Sequence, residues 1–123
     1  MPTVTTNGEI TIALTVKDRA ASSAWFNTHF GFTELYSIDE AGWTEMQTST
    51  PGVTLGLGEA TEAQPGNCVP VFGVESVDTA RAALETVDTK FDGDTMQIDG
   101  MVRLATFYDL DGNAFMLAQD LTK

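Results

Sequence analysis

The sequence predicts an α+β fold: two βαβββ modules set around a cleft. Three observations lead there. Apolar side chains alternate along short runs, with one stretch of helical spacing in each half, as in strands interrupted by a single helix. The second half repeats the first: Ala13-Leu14-Thr15-Val16 matches Val71-Phe72-Gly73-Val74, and Ala24 and Phe26 match Ala82 and Leu84, all at an offset of 58. Finally, Phe107 to Gln119 reads as a hairpin. Two apolar runs flank Asp111-Gly112-Asn113, where Gly112 can take the positive φ of a tight turn.

The elements follow in order. Ile10 to Val16 alternates as a half-buried strand. Asp18 suits an N-cap, because its carboxylate can accept from the free amides of a first helical turn. The helix carries Ala20, Ala21, Ala24, Trp25 and Phe26 and ends near Phe30, with Gly31 placed for a left-handed cap. Phe32 to Ile38 and Trp43 to Thr48 read as paired strands, and Val53 to Leu57 follows the Pro51-Gly52 turn. In the second half Val69 to Val74 is a strand, and Ser76 caps a helix with Asp78 in its first turn. Ala80, Ala83, Leu84 and Val87 are expected to form its buried stripe. Three strands close the module: Thr95 to Ile98, Val102 to Tyr108 and Asn113 to Gln119. Gly52 and Leu57 match Gly112 and Leu117 at an offset of 60. The expectation is one domain over 1–123, with modules at about 8–60 and 67–120 and a polar linker between. Each helix covers one sheet face, so the two bare faces must close on each other or on a second chain.

Composition narrows the function. The 123 residues hold eighteen acidic and six basic side chains, a formal charge of −12. That excludes nucleic acid, whose affinity comes largely from Lys and Arg on phosphates, and an anionic membrane surface. No apolar run approaches the roughly 20 residues of a membrane span. The start, Met1-Pro2-Thr3-Val4-Thr5, lacks the features of a secretory signal, and Cys68 is alone. The expected compartment is a reducing cytoplasm.

Three pieces carry a family resemblance: the opening strand with Val16-Lys17-Asp18, the helix ending Trp25-Phe26-Asn27-Thr28-His29-Phe30-Gly31-Phe32, and the Asp109-Leu110-Asp111-Gly112-Asn113 hairpin. Together they resemble the vicinal oxygen chelate superfamily, which includes glyoxalase I, bleomycin-resistance proteins and extradiol dioxygenases. The resemblance implies an open, half-barrel-like mixed sheet and a homodimer. It also implies four metal-ligand positions, which here hold Thr11, Gly56, Val69 and Met116. A hydroxyl, a glycine, a valine and a thioether are poor ligands for ions that want imidazole or carboxylate. No metal and no other cofactor is therefore expected, and the chemistry of glyoxalase I does not transfer with the fold.

Other nucleophile patterns are absent. His29, the single histidine, lies on the first helix and not on a sheet face, and nothing supports Cys68 as a nucleophile. Trp43, Glu45 and Gln47 share one face of their strand by alternation. An aromatic wall beside a carboxylate suits a flat or cationic ligand. Met96, Phe107, Phe115 and Met116 are expected to line the same cleft. The first reading is a metal-free, cytoplasmic, dimeric binding protein that holds a small aromatic, hydrophobic or cationic compound, such as an antibiotic, without turning it over. The second is a metal-independent or cryptically metal-dependent isomerase or lyase with Glu45 as base. The third is a structural dimer with a filled core.

Overall fold

The computed structural model describes residues 2–122. It is an α+β chain whose contacts divide into two compact units. The first runs Ile10–Val69, and the second joins the chain from Pro70 on with the segment ending at Glu9.

Module one comprises β1 (Ile10–Val16), α1 (Arg19–Phe30), β2 (Thr33–Ile38), β3 (Trp43–Gln47) and β4 (Val53–Glu59). Its strand order is β2-β3-β4-β1, with β1 parallel to β4 and the other pairs antiparallel. The Asp18 carboxylate accepts from the Ala21 amide at 3.0 Å, satisfying a donor the helix cannot use internally. Gly31 ends α1 at φ 73°, where a Cβ would be strained, and its amide closes on Asn27 O. One sheet face packs beneath this helix. Met46, Leu55 and Leu57 are buried there against Leu14, Val16, Phe26 and Phe32.

Module two comprises β5 (Val69–Gly73), α2 (Val77–Glu85), β6 (Met96–Ile98), β7 (Val102–Tyr108) and β8 (Ala114–Asp120). Its order, β5-β8-β7-β6, repeats that of module one, with β5 parallel to β8. Ser76 accepts from the Thr79 amide, the same capping contact 58 residues after Asp18. The core gathers Val74, Val77, Ala80, Ala105 and Leu117, with Val4, Leu84, Phe91 and Phe107 against them. The expected helix stripe needs one correction. The helix stops at Glu85, so Val87 lies beyond it and is 58% exposed, while Val77 takes a fully buried place in the first turn.

The repeat extends to strand register. Leu14 lies opposite Leu57, and Phe72 opposite Leu117, so the offsets of 58 and 60 carry one pair onto the other. Each unit is also braced by an asparagine. In the first, Asn67 clamps Thr15: its Oδ1 accepts from the Thr15 amide at 2.8 Å and its Nδ2 donates to Thr15 O at 3.1 Å. In the second, the Asn7 amide donates to Gly73 O and the Gly73 amide to Glu9 O. Among the described residues no helix is long and apolar enough to cross a membrane.

Candidate functional site

Register decides which side chains meet on the sheet face of module one that lies away from α1. Thr11 lies opposite Thr54, Glu45 lies opposite both Tyr36 and Gly56, and Trp43 lies opposite Gly58. Their strand neighbours Met46, Leu55 and Leu57 fill the helix-side core, so alternation turns this set the other way.

The centre of the set is Glu45, only 7% exposed. A buried carboxylate is costly unless its oxygens are hydrogen-bonded. Here Oε1 accepts from the Trp43 indole N–H at 2.8 Å and from the Tyr36 hydroxyl at 3.4 Å. Oε2 has a short contact with the Thr54 hydroxyl and a longer one, 3.2 Å, with that of Thr11. The two threonine hydroxyls also lie 2.8 Å apart. Each hydroxyl has one proton, so two protons serve three contacts. With Thr54 donating to Oε2, Thr11 donates either to Thr54 or to Oε2, not to both. All four groups around the carboxylate are neutral donors.

Trp43 takes its position from two glycines. A Cβ on Gly56 would stand 2.0 Å from indole Cζ2 and 2.4 Å from Cη2. On Gly58 it would stand 3.4 Å from Cε3 and Cζ3. The indole therefore lies flat over both residues. Gln47 sits at the exposed end of the same face and donates to Thr48 O, away from Glu45.

In module two the corresponding face is mostly apolar, with Thr106 its polar member beside Met116. Val71 lies opposite Met116, Met116 opposite Thr106, and Leu104 opposite Met96. Phe107 and Phe115 do not belong to this face, which corrects the expectation that they line one surface with Met116. They pair with each other in the parity of Leu117, on the α2 side, and their rings stack at 5.7 Å. Phe72 stacks on Phe115, and Phe91 lies tilted against Phe107. Met96 is 64% exposed. Tyr36, Thr54 and Gly58 are site residues that the sequence reading did not single out. The parallel pairing of Thr11 with Thr54 is the signal that would have found Thr54.

A groove of about 560 Å³ lies on the opposite, α1 side of module one, lined by Arg19, Asn27, Glu34, Asp39 and Glu59 among others. Its one cation is already engaged: Arg19 donates to Trp43 O at 2.8 Å and pairs with Asp39 and Glu59. At the hairpin, Asp109 accepts from the amides of Asp111 and Asn113 and from Asn113 Nδ2. The Asn113 side chain, followed by these amides, holds the Asp109 carboxyl below its ordinary value.

Residues 10–117 match the family model of the Glyoxalase/Bleomycin resistance protein/Dioxygenase superfamily. The chain belongs to that superfamily. Among curated proteins none matches. Solved structures with this fold include methylmalonyl-CoA epimerase from Mycobacterium tuberculosis, 13% identical at TM-score 0.78, covering 98% of this chain and 92% of that one. A Streptomyces coelicolor methylmalonyl-CoA epimerase in complex with 2-nitronate-propionyl-CoA is 21% identical at TM-score 0.69, covering 89% and 94%. A Legionella pneumophila structure described as an NAD-dependent benzaldehyde dehydrogenase is 18% identical at TM-score 0.72, covering 90% and 98%. At such identities the likeness is one of fold.

The superfamily's metal can be tested against the residues present. Register pairs the four implied positions across the modules: Thr11 corresponds to Val69, and Gly56 to Met116. None offers imidazole or carboxylate. Any side chain at position 56 would collide with Trp43, and the Thr11 hydroxyl is drawn into the Glu45 set. The described residues contain no group of three or more His, Cys, Asp or Glu placed to hold a metal ion. The superfamily metal does not fit this donor set.

Proposed function

We propose that this superfamily member is an isomerase or lyase that moves a proton on a small organic acid or its thioester, with Glu45 as the base. One observation carries the reading: a buried carboxylate on the sheet face away from α1, oriented by four neutral donors and paired with no cation among the described residues. Such a group is fixed in direction without being neutralised. When Thr11 turns its proton to Thr54, a lone pair on Oε2 is released. Oε2 then accepts a proton from the carbon beside a carbonyl, and the C–H electrons pass into an enolate. A solvent proton delivered to the opposite face of that carbon completes an isomerisation, with Glu45 giving its own proton to water. The likeness to methylmalonyl-CoA epimerases supports this chemistry.

The test is incubation with methylmalonyl-CoA in D2O, following deuterium entry at the α-carbon by mass spectrometry. The protein is expected to accelerate exchange and Glu45→Gln to abolish it. Exchange no faster than in buffer would refute proton transfer on this substrate class.

A second reading is favoured by the occupied oxygens of Glu45 and by the apolar face of Met96, Leu104 and Met116. In it the chain holds an aromatic, hydrophobic or cationic compound, such as an antibiotic, without reaction. Trp43, Glu45 and Gln47 in module one and, taken separately, Met96 and Met116 in module two are the residues to vary in testing it. A thermal-shift screen with such compounds tests it, and stabilisation without deuterium exchange would favour it. Both readings have the chain working as a cytoplasmic homodimer on a small-molecule ligand, and light scattering tests the dimer.

A further inference from the structure

We propose that Trp43 is a positioning residue for Glu45, and that the same side chain closes the superfamily's metal-ligand position at Gly56. Strand alternation puts Trp43 and Glu45 on one face, but alternation alone would leave the indole upright. Here it lies sideways across β4, which is possible because β4 has no Cβ at Gly56. The demand is unequal. A Cβ at Gly58 would touch the ring at 3.4 Å, about van der Waals distance, whereas one at Gly56 would stand 2.0 Å from it. Gly56 is thus the residue that admits the indole. The far edge of the ring then brings Nε1 to 2.8 Å from Oε1.

The chemistry of this donor makes the two carboxylate oxygens unequal. An indole N–H only donates; it neither accepts nor gives up its proton near neutral pH. Oε1 is therefore anchored by the indole at 2.8 Å, with its one hydroxyl neighbour, Tyr36, further off at 3.4 Å. Oε2 faces hydroxyls that can reverse their direction, so the geometry assigns proton exchange to Oε2. Module two has no counterpart: Leu104 opposite Ala118 stands where Trp43 stands opposite Gly58, and Thr106 opposite Met116 stands where Glu45 stands opposite Gly56.

The role in catalysis rests on the proton-transfer reading; the placement of the ring does not. The placement is tested by NMR of the two indole N–H groups, with Trp43→Phe used to assign them. The Trp43 N–H is expected to exchange with water at least about tenfold more slowly than that of Trp25, which is on the exposed face of α1. Glu45→Gln removes the acceptor's charge, so the Trp43 N–H proton is expected to move upfield while that of Trp25 stays. Equal exchange rates, or a Trp43 resonance indifferent to Glu45→Gln, would overturn the placement. These signals are read without substrate, so a chain lacking deuterium exchange refutes the function and leaves this contact to be judged by its own result. In an active protein Trp43→Phe is expected to lower kcat about tenfold with KM little changed, and an unchanged kcat would overturn the positioning role.

Discussion

Gly56→Ala tests the arrangement most sharply, because two accounts of position 56 predict opposite signs. Gly56 has no positive φ, so its backbone accepts alanine without strain. In open space the change would stabilise the protein by about 0.4–1 kcal/mol, since alanine restricts the unfolded chain. With a ring atom 2.0 Å from the new Cβ, the indole must leave its place. Leaving breaks its hydrogen bond to a buried carboxylate, a loss of about 1.5–3 kcal/mol for a charged acceptor. The net expectation is destabilisation of roughly 1–2 kcal/mol, before any lost packing of the indole on the sheet. Urea unfolding followed by circular dichroism reads this as a lower midpoint at unchanged slope. In a Trp43→Ala background the same substitution should cost much less, because its target is gone. A Gly56→Ala protein as stable as the wild type would refute the placement of the indole over Gly56.

Two more predictions concern the core and the hairpin. Leu57 and Leu117 are the register-matched, fully buried pair, so Leu57→Ala and Leu117→Ala should each cost about 2–5 kcal/mol in urea unfolding, against less than about 0.5 kcal/mol for exposed Val87→Ala. Asp109 is depressed below its ordinary carboxyl value, so its contribution to the hairpin is complete above about pH 4 and is lost as pH falls through the lower folded value. Amide exchange at Asn113 should therefore quicken on acidification below that point, and Asp109→Asn should remove the acid-sensitive step.

What could be read from the sequence was what depends on neighbours along the chain. Asp18 and Ser76 as caps, Gly31 as a terminator and Gly112 as a turn residue answer to the few residues beside them, and all four take those roles. The module repeat was legible because the same local signals recur at a fixed offset. The Glu45 set was only half legible. Trp43 and Glu45 share a strand, but Thr11, Tyr36 and Thr54 reach the carboxylate through strand pairing, which no local pattern specifies. The grouping of Phe115 with Met116 failed for a reason already in the chain, since adjacent residues on a strand face opposite ways. Val87 continues the apolar spacing, but its amide reaches back only three residues, to Leu84 O, as the chain tightens and leaves α2.

The asparagine braces have a consequence for how the molecule can be divided. The clamp on Thr15 comes from Asn67, on the stretch leading into β5, and the clamp on Gly73 comes with Asn7 and Glu9, on the stretch leading into β1. Val4 on that same leading stretch packs into the core of module two. A cut in the polar linker after Glu59 would therefore not release two finished halves. The N-terminal fragment would carry off Val4, Asn7 and Glu9, and the C-terminal fragment would keep Asn67. Each piece would hold the fastening of the other, so the chain is laced like a boot rather than joined like two beads. Synthesis from the N-terminus must accordingly reach β5 before even the first sheet is fully secured.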